Sequence, residues 1–387
     1  MTGEPSRAGD VLALIRAGAA TSRADVARLV GVSASTASAR VESLIRRGMV
    51  REDGDGPSRG GRRPRRLLLE PGLGTVAALD VGADSATIAL ANAAGEQLAS
   101  RQVPIRLADG PEAVLGVLSR QLDRMRDPGT AKLLAACIGV PGPVGPARDV
   151  LVAAARMPGW NGADVRALAQ ASLGVPTIVE NDANLVALGE RALHRKRVGD
   201  LVAVKVATGI GCGVVVGGRL HRGADGMAGD ISHTAVPGAP ATPCSCGRTG
   251  CLDVVASGSA VLEAIRDSGV EVAGVDQLLR LVNDGHPVAT NLLRGAGERI
   301  GAVLATVVSF FNPSVLVLAG QVSRSPAFVS AVTSTVYGSC LPATTTALEI
   351  VLSEDSTRSS LRGATGLALD GAFADENLAR LLASGAR

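Results

Sequence analysis

Apolar positions in the first seventy residues recur at helical spacing and then give way to short extended runs. In GDVLALIRAG, Val11, Leu12, Leu14 and Ile15 share a helical face, and Gly18 supplies a C-cap. The following TSRADVARLVGVSASTASARVESLIRRGMV predicts a helix capped by Thr21 or Ser22 and ending at Val30. It then predicts a turn at Gly31 and a second helix from a Ser33 cap to Arg47. Helix, short glycine turn, and a helix opening on small polar residues form a helix-turn-helix signature. GMVRE and RRLLLE predict two strands of a wing, with GDGPSRGGRRP as its tip.

From Gly74 the pattern becomes α/β. TVAALDVG reads as a buried strand, and SATIALANAAGEQLASRQV as two more strands joined at Ala94-Gly95. A helix over 111–126, the strand AKLLAACIGVPGPVG, the strand VPTIVEND and the helix ANLVALGERALHR follow. LVAVKVATGIGCGVVVGGRL supplies further strands, and a helix over roughly 286–310 precedes the strand SVLVLAG.

Composition narrows the class. The 387 residues suffice for two or three domains with a sizeable core. The hydrophobic 46% is mainly Ala, Val and Leu, with aromatics at 2%. No window approaches a membrane span, and MTGEPSRAGD lacks the apolar stretch of a signal peptide. The expectation is a soluble cytoplasmic protein with reduced thiols and no membrane partner.

The net charge of +3 says little, but its distribution says more. Between Pro57 and Leu67 stand Arg59, Arg62, Arg63, Arg65 and Arg66 and no acid. Alone, such a run reads as a solvated linker. Beside a helix-turn-helix it reads as a loop that lays arginines along the minor groove, and GRRPR is similar to an AT-hook core. Ser35, Thr36, Ser38 and Arg40 fall on the early turns of the second helix, where base-edge and phosphate contacts originate. With Arg59, Arg62 and Arg63 they are the candidate contacts to double-stranded operator DNA. The bland alternative is a helical hairpin whose Ser and Thr are surface filler.

HTAVPGAPATPCSCGRTGCLD, from 233 to 253, holds three of the six cysteines and one of the four histidines. Cys244, Cys246 and Cys251 offer thiolates for a tetrahedral zinc, and His233 completes a Cys3His set. Four protein ligands leave no open position for water, so such a zinc is structural. The alternative is three reduced cysteines without metal.

The ordered set DVG, IGVPGPVG, VENDAN, TGIGCGVVVGGRLHRG, GDISH, CSCGRTGC and NPSVLVLAG resembles the ROK family of repressors and sugar kinases, from about residue 75 to 370. With the N-terminal segment, the resemblance is to ROK transcriptional regulators of the xylose- or N-acetylglucosamine-repressor type. It implies an α/β chain with a winged helix-turn-helix over 1–70 and a two-lobed, actin-like ATPase (sugar-kinase-like) domain over 75–387. Lobe one takes about 75–185 plus the C-terminal helix, and lobe two about 186–367. It also implies zinc at the histidine and cysteines, a homodimer or homotetramer, and a sugar or sugar-derivative pocket formed by Gly142, Asn181, Asp182, Asp230, His233 and Asp253. In kinases of the family the aspartate matching Asp182 is the general base.

The departures bear on function. Asp230 and Asp253 stand where the family usually has glutamate, and the zinc loop is slightly longer than usual. Asp84 replaces the threonine of the phosphate-binding D-x-G-x-T, where a carboxylate repels a triphosphate. LAGQVS has less glycine than the kinases' adenosine segment. These changes predict a repressor whose cleft senses a sugar without kinase activity. Asp182 and TGIGCG keep the alternative open, an ATP-dependent sugar kinase with an appended DNA-binding domain.

Overall fold

The computed structural model describes residues 8–55, 65–126, 129, 131–147, 149–152, 157–194, 199–374, 377 and 378. The head opens with α1 (Ala8–Arg16), α2 (Arg23–Val30) and α3 (Ala34–Arg46), followed by the antiparallel pair β1 (Val50–Asp55) and β2 (Arg65–Leu69). Ser22 accepts from Asp25 N–H to cap α2, and Gly31 ends it with φ 73°. Ser33 caps α3 through Thr36 N–H. Side-chain oxygens at these positions satisfy amides that the first helical turn leaves unpaired, which is why the two helices start where they do. Val11, Leu12, Val26, Ala37, Val41, Met49 and Leu67 are buried together, and the same apolar cluster runs on through Val76, Ala78, Ala364 and Leu369. The head is therefore seated on the larger domain.

That domain has two five-stranded sheets. The first is ordered β5-β4-β3-β6-β7, from β3 (Thr75–Val81), β4 (Ser85–Asn92), β5 (Gln97–Pro104), β6 (Leu133–Val140) and β7 (Thr177–Asn181). The second is ordered β10-β9-β8-β11-β12, from β8 (Leu201–Val206), β9 (Ile210–Val216), β10 (Arg219–His221), β11 (Val315–Ala319) and β12 (Glu349–Leu352). In both, the second strand runs antiparallel to its neighbours and the remaining central pairs are parallel. One topology used twice gives the two-lobed, actin-like form, and strands such as TVAALDV are buried along their whole length because both faces are covered.

Helices α4 (Pro111–Met125) and α5 (Val165–Leu173) cover the outer face of the first sheet around the buried Trp160, whose Nε1 donates to Leu107 O at 2.8 Å. The outer face of the second carries α7 (Leu252–Ala256), α8 (Gly258–Asp267), α9 (Val275–Asn283), α10 (Pro287–Phe311), α11 (Pro326–Ser339) and α12 (Pro342–Thr345). Between the sheets lie α6 (Asp182–Leu193) and α13 (Ser356–Ala372). Their backbones almost touch: a Cβ at Gly189 would fall 1.9 Å from Ser359 O, and one at Gly363 2.1 Å from Leu185 O. Only glycine permits that approach. Buried Glu190 fastens the pair, accepting from Ser353 Oγ at 2.5 Å and Ser359 Oγ at 2.6 Å. Among the described residues no helix is long and apolar enough to cross a membrane.

Candidate functional site

The carboxyl ends of β3, β6 and β7 in the first sheet and of β8 in the second open onto one cavity of about 320 Å³. In open α/β sheets this is where ligands bind, because backbone amides and helix N-termini converge there. All six residues expected to touch a sugar line it: Gly142, Asn181, Asp182, Asp230, His233 and Asp253. Gly82, Thr208, Gly209 and Gly211 line it as well, so both glycine turns share the space. Asp84 is exposed on the β3–β4 turn and is not among the lining residues.

Several of these side chains already serve the fold. Asn181 caps α6, its Oδ1 accepting from Ala183 N–H at 2.9 Å and Asn184 N–H at 3.2 Å, while Nδ2 donates to Gly142 O at 3.0 Å. Asp253 is 5% exposed and its Oδ1 accepts from Ile210 N–H at 3.2 Å, tying α7 to the TGIGCG turn. Asp230 is exposed and accepts from Ser232 Oγ at 2.6 Å. Cys212, in the same turn, is a buried thiol that burial pushes up to about 12, which makes it a packing group rather than a nucleophile.

Asp182 opens α6 with both carboxylate oxygens engaged. Oδ1 accepts from Ala183 N–H at 2.8 Å and Oδ2 from Lys205 Nζ at 2.7 Å. Burial alone would lower the Lys205 pKa, but the negative charges of Asp182 and Asp80 outweigh it and hold the ammonium above the ordinary lysine value. Asp80 accepts from Ser360 Oγ of α13 at 2.7 Å, and burial raises its carboxyl even against the pull of Lys205. Sequence reasoning missed Lys205, although one lysine within LVAVKV was the signal. It also missed the bidentate pair in which Arg222 Nε and Nη2 donate to Glu180 Oε2 at 2.9 and 2.7 Å, bracing the segment after β10 against β7.

The cysteine loop gathers as its spacing predicts. Cys244 N–H bonds to Arg248 O at 2.8 Å and Gly247 N–H to Cys244 O at 3.0 Å, closing a tight turn beneath the thiols. The ligand atoms of His233, Cys244, Cys246 and Cys251 lie within 4.8 Å of one another. Cys244 Sγ is 3.4 Å from His233 Nδ1, and Cys246 Sγ is 3.6 Å from Cys251 Sγ. Tetrahedral zinc with bonds near 2.0–2.3 Å requires ligand separations of roughly 3.4–3.8 Å, so the donor set and its spacing fit that ion. His233 belongs to this cluster and to the cavity wall at once.

In the head, Ser35 and Thr36 are exposed on the first turn of α3, and Ser38 and Arg40 are half-buried one turn on. Arg23 clamps the three-element unit, donating to Glu42 and Glu52 at 2.9 Å each. Arg65 and Arg66 are exposed on β2, whereas Arg59, Arg62 and Arg63 lie outside the described residues.

Comparison with known proteins agrees with this two-part build. Residues 76–371 match the ROK family, and residues 5–54 match the IclR helix-turn-helix domain. A xylose repressor of Caldicellulosiruptor bescii is 30% identical over 319 residues, covering 78% of this chain and 79% of its own. A solved ROK-family transcriptional regulator, a homologue of the E. coli MLC protein, superposes with a TM-score of 0.79 over 97% of this chain and 98% of its own. At 22% identity that likeness is one of fold. A ROK hexokinase from Thermus thermophilus is 29% identical, with a TM-score of 0.61 over 76% of this chain and 97% of its own.

Proposed function

The chain belongs to the ROK family, and from that premise we propose that it is a DNA-binding transcriptional regulator, a repressor of carbohydrate-related genes whose cleft senses a sugar. One observation carries the reading. The helix that buttresses the cleft from behind, α13, is also the seat of the DNA-binding head, since Asp80 bonds to it from one side and Arg16 of α1 from the other. A sugar that draws the two sheets together would shift α6 against α13 and so re-aim α3. In a homodimer or homotetramer this changes the spacing of two heads across an inverted repeat.

In this reading Gly142, Asn181, Asp182, Asp230, His233 and Asp253 bind the sugar. Polyol recognition needs groups that both donate and accept, and the set supplies carboxylates, an amide and an imidazole. Zinc held by His233, Cys244, Cys246 and Cys251 would fix the imidazole and stiffen the wall that carries it. Ser35, Thr36, Ser38 and Arg40 would enter the major groove, with Arg59, Arg62 and Arg63 along the minor groove. The protein works in the cytoplasm beside its operator. Xylose is the first effector to try, given the named repressor among the relatives.

A second reading, an ATP-dependent sugar kinase, draws on Thr208, Gly209 and Gly211 lining the same cavity as Asp182. Two measurements decide between them: DNA affinity with and without sugar, and sugar-dependent ADP release. Sugar-shifted DNA affinity without turnover supports the sensor. Turnover abolished by Asp182→Asn supports the kinase.

A further inference from the structure

Lys205 interrupts a strand otherwise built of leucine, valine and alanine, and it points its ammonium into the cleft. The Lys205–Asp182 pair is largely withdrawn from water, with side-chain exposures of 17% and 13%. Its geometry depends on the neighbouring strand, because Lys205 stands opposite Gly211 in the β8–β9 register. A Cβ at Gly211 would come within 2.8 Å of Ala183 Cβ and 4.0 Å of Asp182 Oδ1, so the bare glycine is what lets the start of α6 lie against β9, beside Lys205 of the paired strand.

Transfer of a phosphoryl group to a sugar hydroxyl needs a nearby base to take the hydroxyl proton. A carboxylate at the floor of a polyol cleft is placed for that work only if its charge is available. Here Oδ2 is held by the ammonium and Oδ1 by a main-chain amide. A hydroxyl proton moving onto Asp182 would break the ion pair that Lys205 makes, and breaking a buried pair by neutralising one partner is strongly unfavourable.

We propose that Lys205 disarms Asp182, so that the cleft recognises a polyol without deprotonating it. The idea rests on the reading of the cleft as a sugar site and explains, from one side chain, how a kinase-like pocket becomes a sensor. Lys205 also competes with the ligand for Asp182 and thereby limits sugar affinity.

Two measurements on the full-length protein test this separately. In the first, carbon-13 lysine NMR follows the Lys205 Cε signal, identified by its loss in Lys205→Met, as pH is raised. The expected result is an ammonium that persists past the ordinary lysine value of 10.5 and titrates lower in Asp182→Asn. A Lys205 signal that titrates at the ordinary value and ignores Asp182→Asn overturns the proposal, and no sugar is needed to see it.

In the second, calorimetry with D-xylose, D-glucose and N-acetyl-D-glucosamine compares wild type, Lys205→Met and Lys205→Met/Asp182→Asn. Lys205→Met is expected to bind about tenfold tighter, the worth of one charge-assisted hydrogen bond regained, and the double variant to lose that gain. Lys205→Arg, which keeps the charge, is expected to stay near wild type. Equal or weaker binding by Lys205→Met overturns the proposal and leaves the sugar-sensing reading standing. If none of these sugars binds any of the three proteins, the sensing reading falls, and the lysine titration still decides the ion pair.

Discussion

Arg16, on the first helix of the head, donates from Nη1 to the carbonyl of Gly366 on α13 at 3.0 Å, joining positions 350 residues apart. Its other terminal nitrogen pairs with Asp370 one turn further along the same helix. The head is thus fastened to the helix that packs along α6, whose first residue is Asp182. Arg16→Ala should leave operator affinity in the absence of sugar near wild type while shrinking the sugar-induced change in affinity by about tenfold, equivalent to about 1.4 kcal/mol of coupling. Fluorescence anisotropy on operator DNA, with and without sugar, reads both quantities. An undiminished sugar response in Arg16→Ala would remove α13 from the signalling route.

The crossing of α6 and α13 is expected to tolerate no side chain. Gly363→Ala places a methyl against Leu185 O and should cost about 2–3 kcal/mol, as overpacking a tight interface does. Calorimetric melting of the variant checks this, with Gly366→Ala as the control, because a Cβ there meets nothing closer than Arg16 Nη1 at 3.9 Å.

Metal analysis of the purified protein should return one zinc per chain. Cys251→Ser should abolish it and lower the melting temperature, since a structural zinc contributes directly to folding of the segment that binds it. Sugar affinity should fall with the zinc, because His233 loses its anchor, while binding of the head to DNA should stay near wild type.

The head has its own acid limit. Asp25 accepts from Ser22 Oγ, Thr21 Oγ1 and Thr21 N–H and has an ion pair to Arg28, and these bonds outweigh burial and bring its carboxyl down to about 2 from an ordinary 3.8. A carboxyl depressed in the folded state stabilises fully above its unfolded value, and that stabilisation is lost as pH falls through the folded value. Circular dichroism should therefore show stability declining between about pH 4 and 2, with Asp25→Asn flattening the decline.

Recognition by α3 and by the arginine loop can be separated through salt. Ser35→Glu should weaken operator binding by about tenfold or more without altering sugar affinity, because it sets a carboxylate against the DNA. Arg62→Ala with Arg63→Ala should lower the slope of log affinity against log salt by about 2, one for each phosphate that an arginine neutralises. An unchanged slope would take those two arginines off the DNA.

Much of the architecture is legible in the sequence where the signal is local. Ser22, Gly31 and Ser33 mark helix ends through capping chemistry that involves only a few neighbouring residues. The cysteine loop is legible for the same reason, its four ligands lying within nineteen positions of one another. The cavity residues are legible through motif resemblance, and the structure places all six in the lining of one cavity. Long-range relations were not legible. Nothing near Arg16 announces Gly366, and nothing near Gly189 announces Ser359, since each approach exists only once α13 has returned to the first sheet. Helices α8, α9 and α11 also escaped: α8 and α9 alternate apolar and polar positions at helical spacing, a signal that was there to read, whereas α11 is apolar on most sides and has no such stripe. Lys205 is visible as an oddity, but its meaning depends on Asp182 and Asp80, which reach it from two other elements.

The most direct test of a sugar-gated repressor is a single titration. The full-length protein is bound to its own promoter DNA by anisotropy, and D-xylose and other monosaccharides are added in turn. At least one should lower DNA affinity by about tenfold or more in wild type, with Asp182→Asn abolishing the response and no ADP released in either protein. DNA affinity that no carbohydrate moves, or ADP release that Asp182→Asn abolishes, would contradict it.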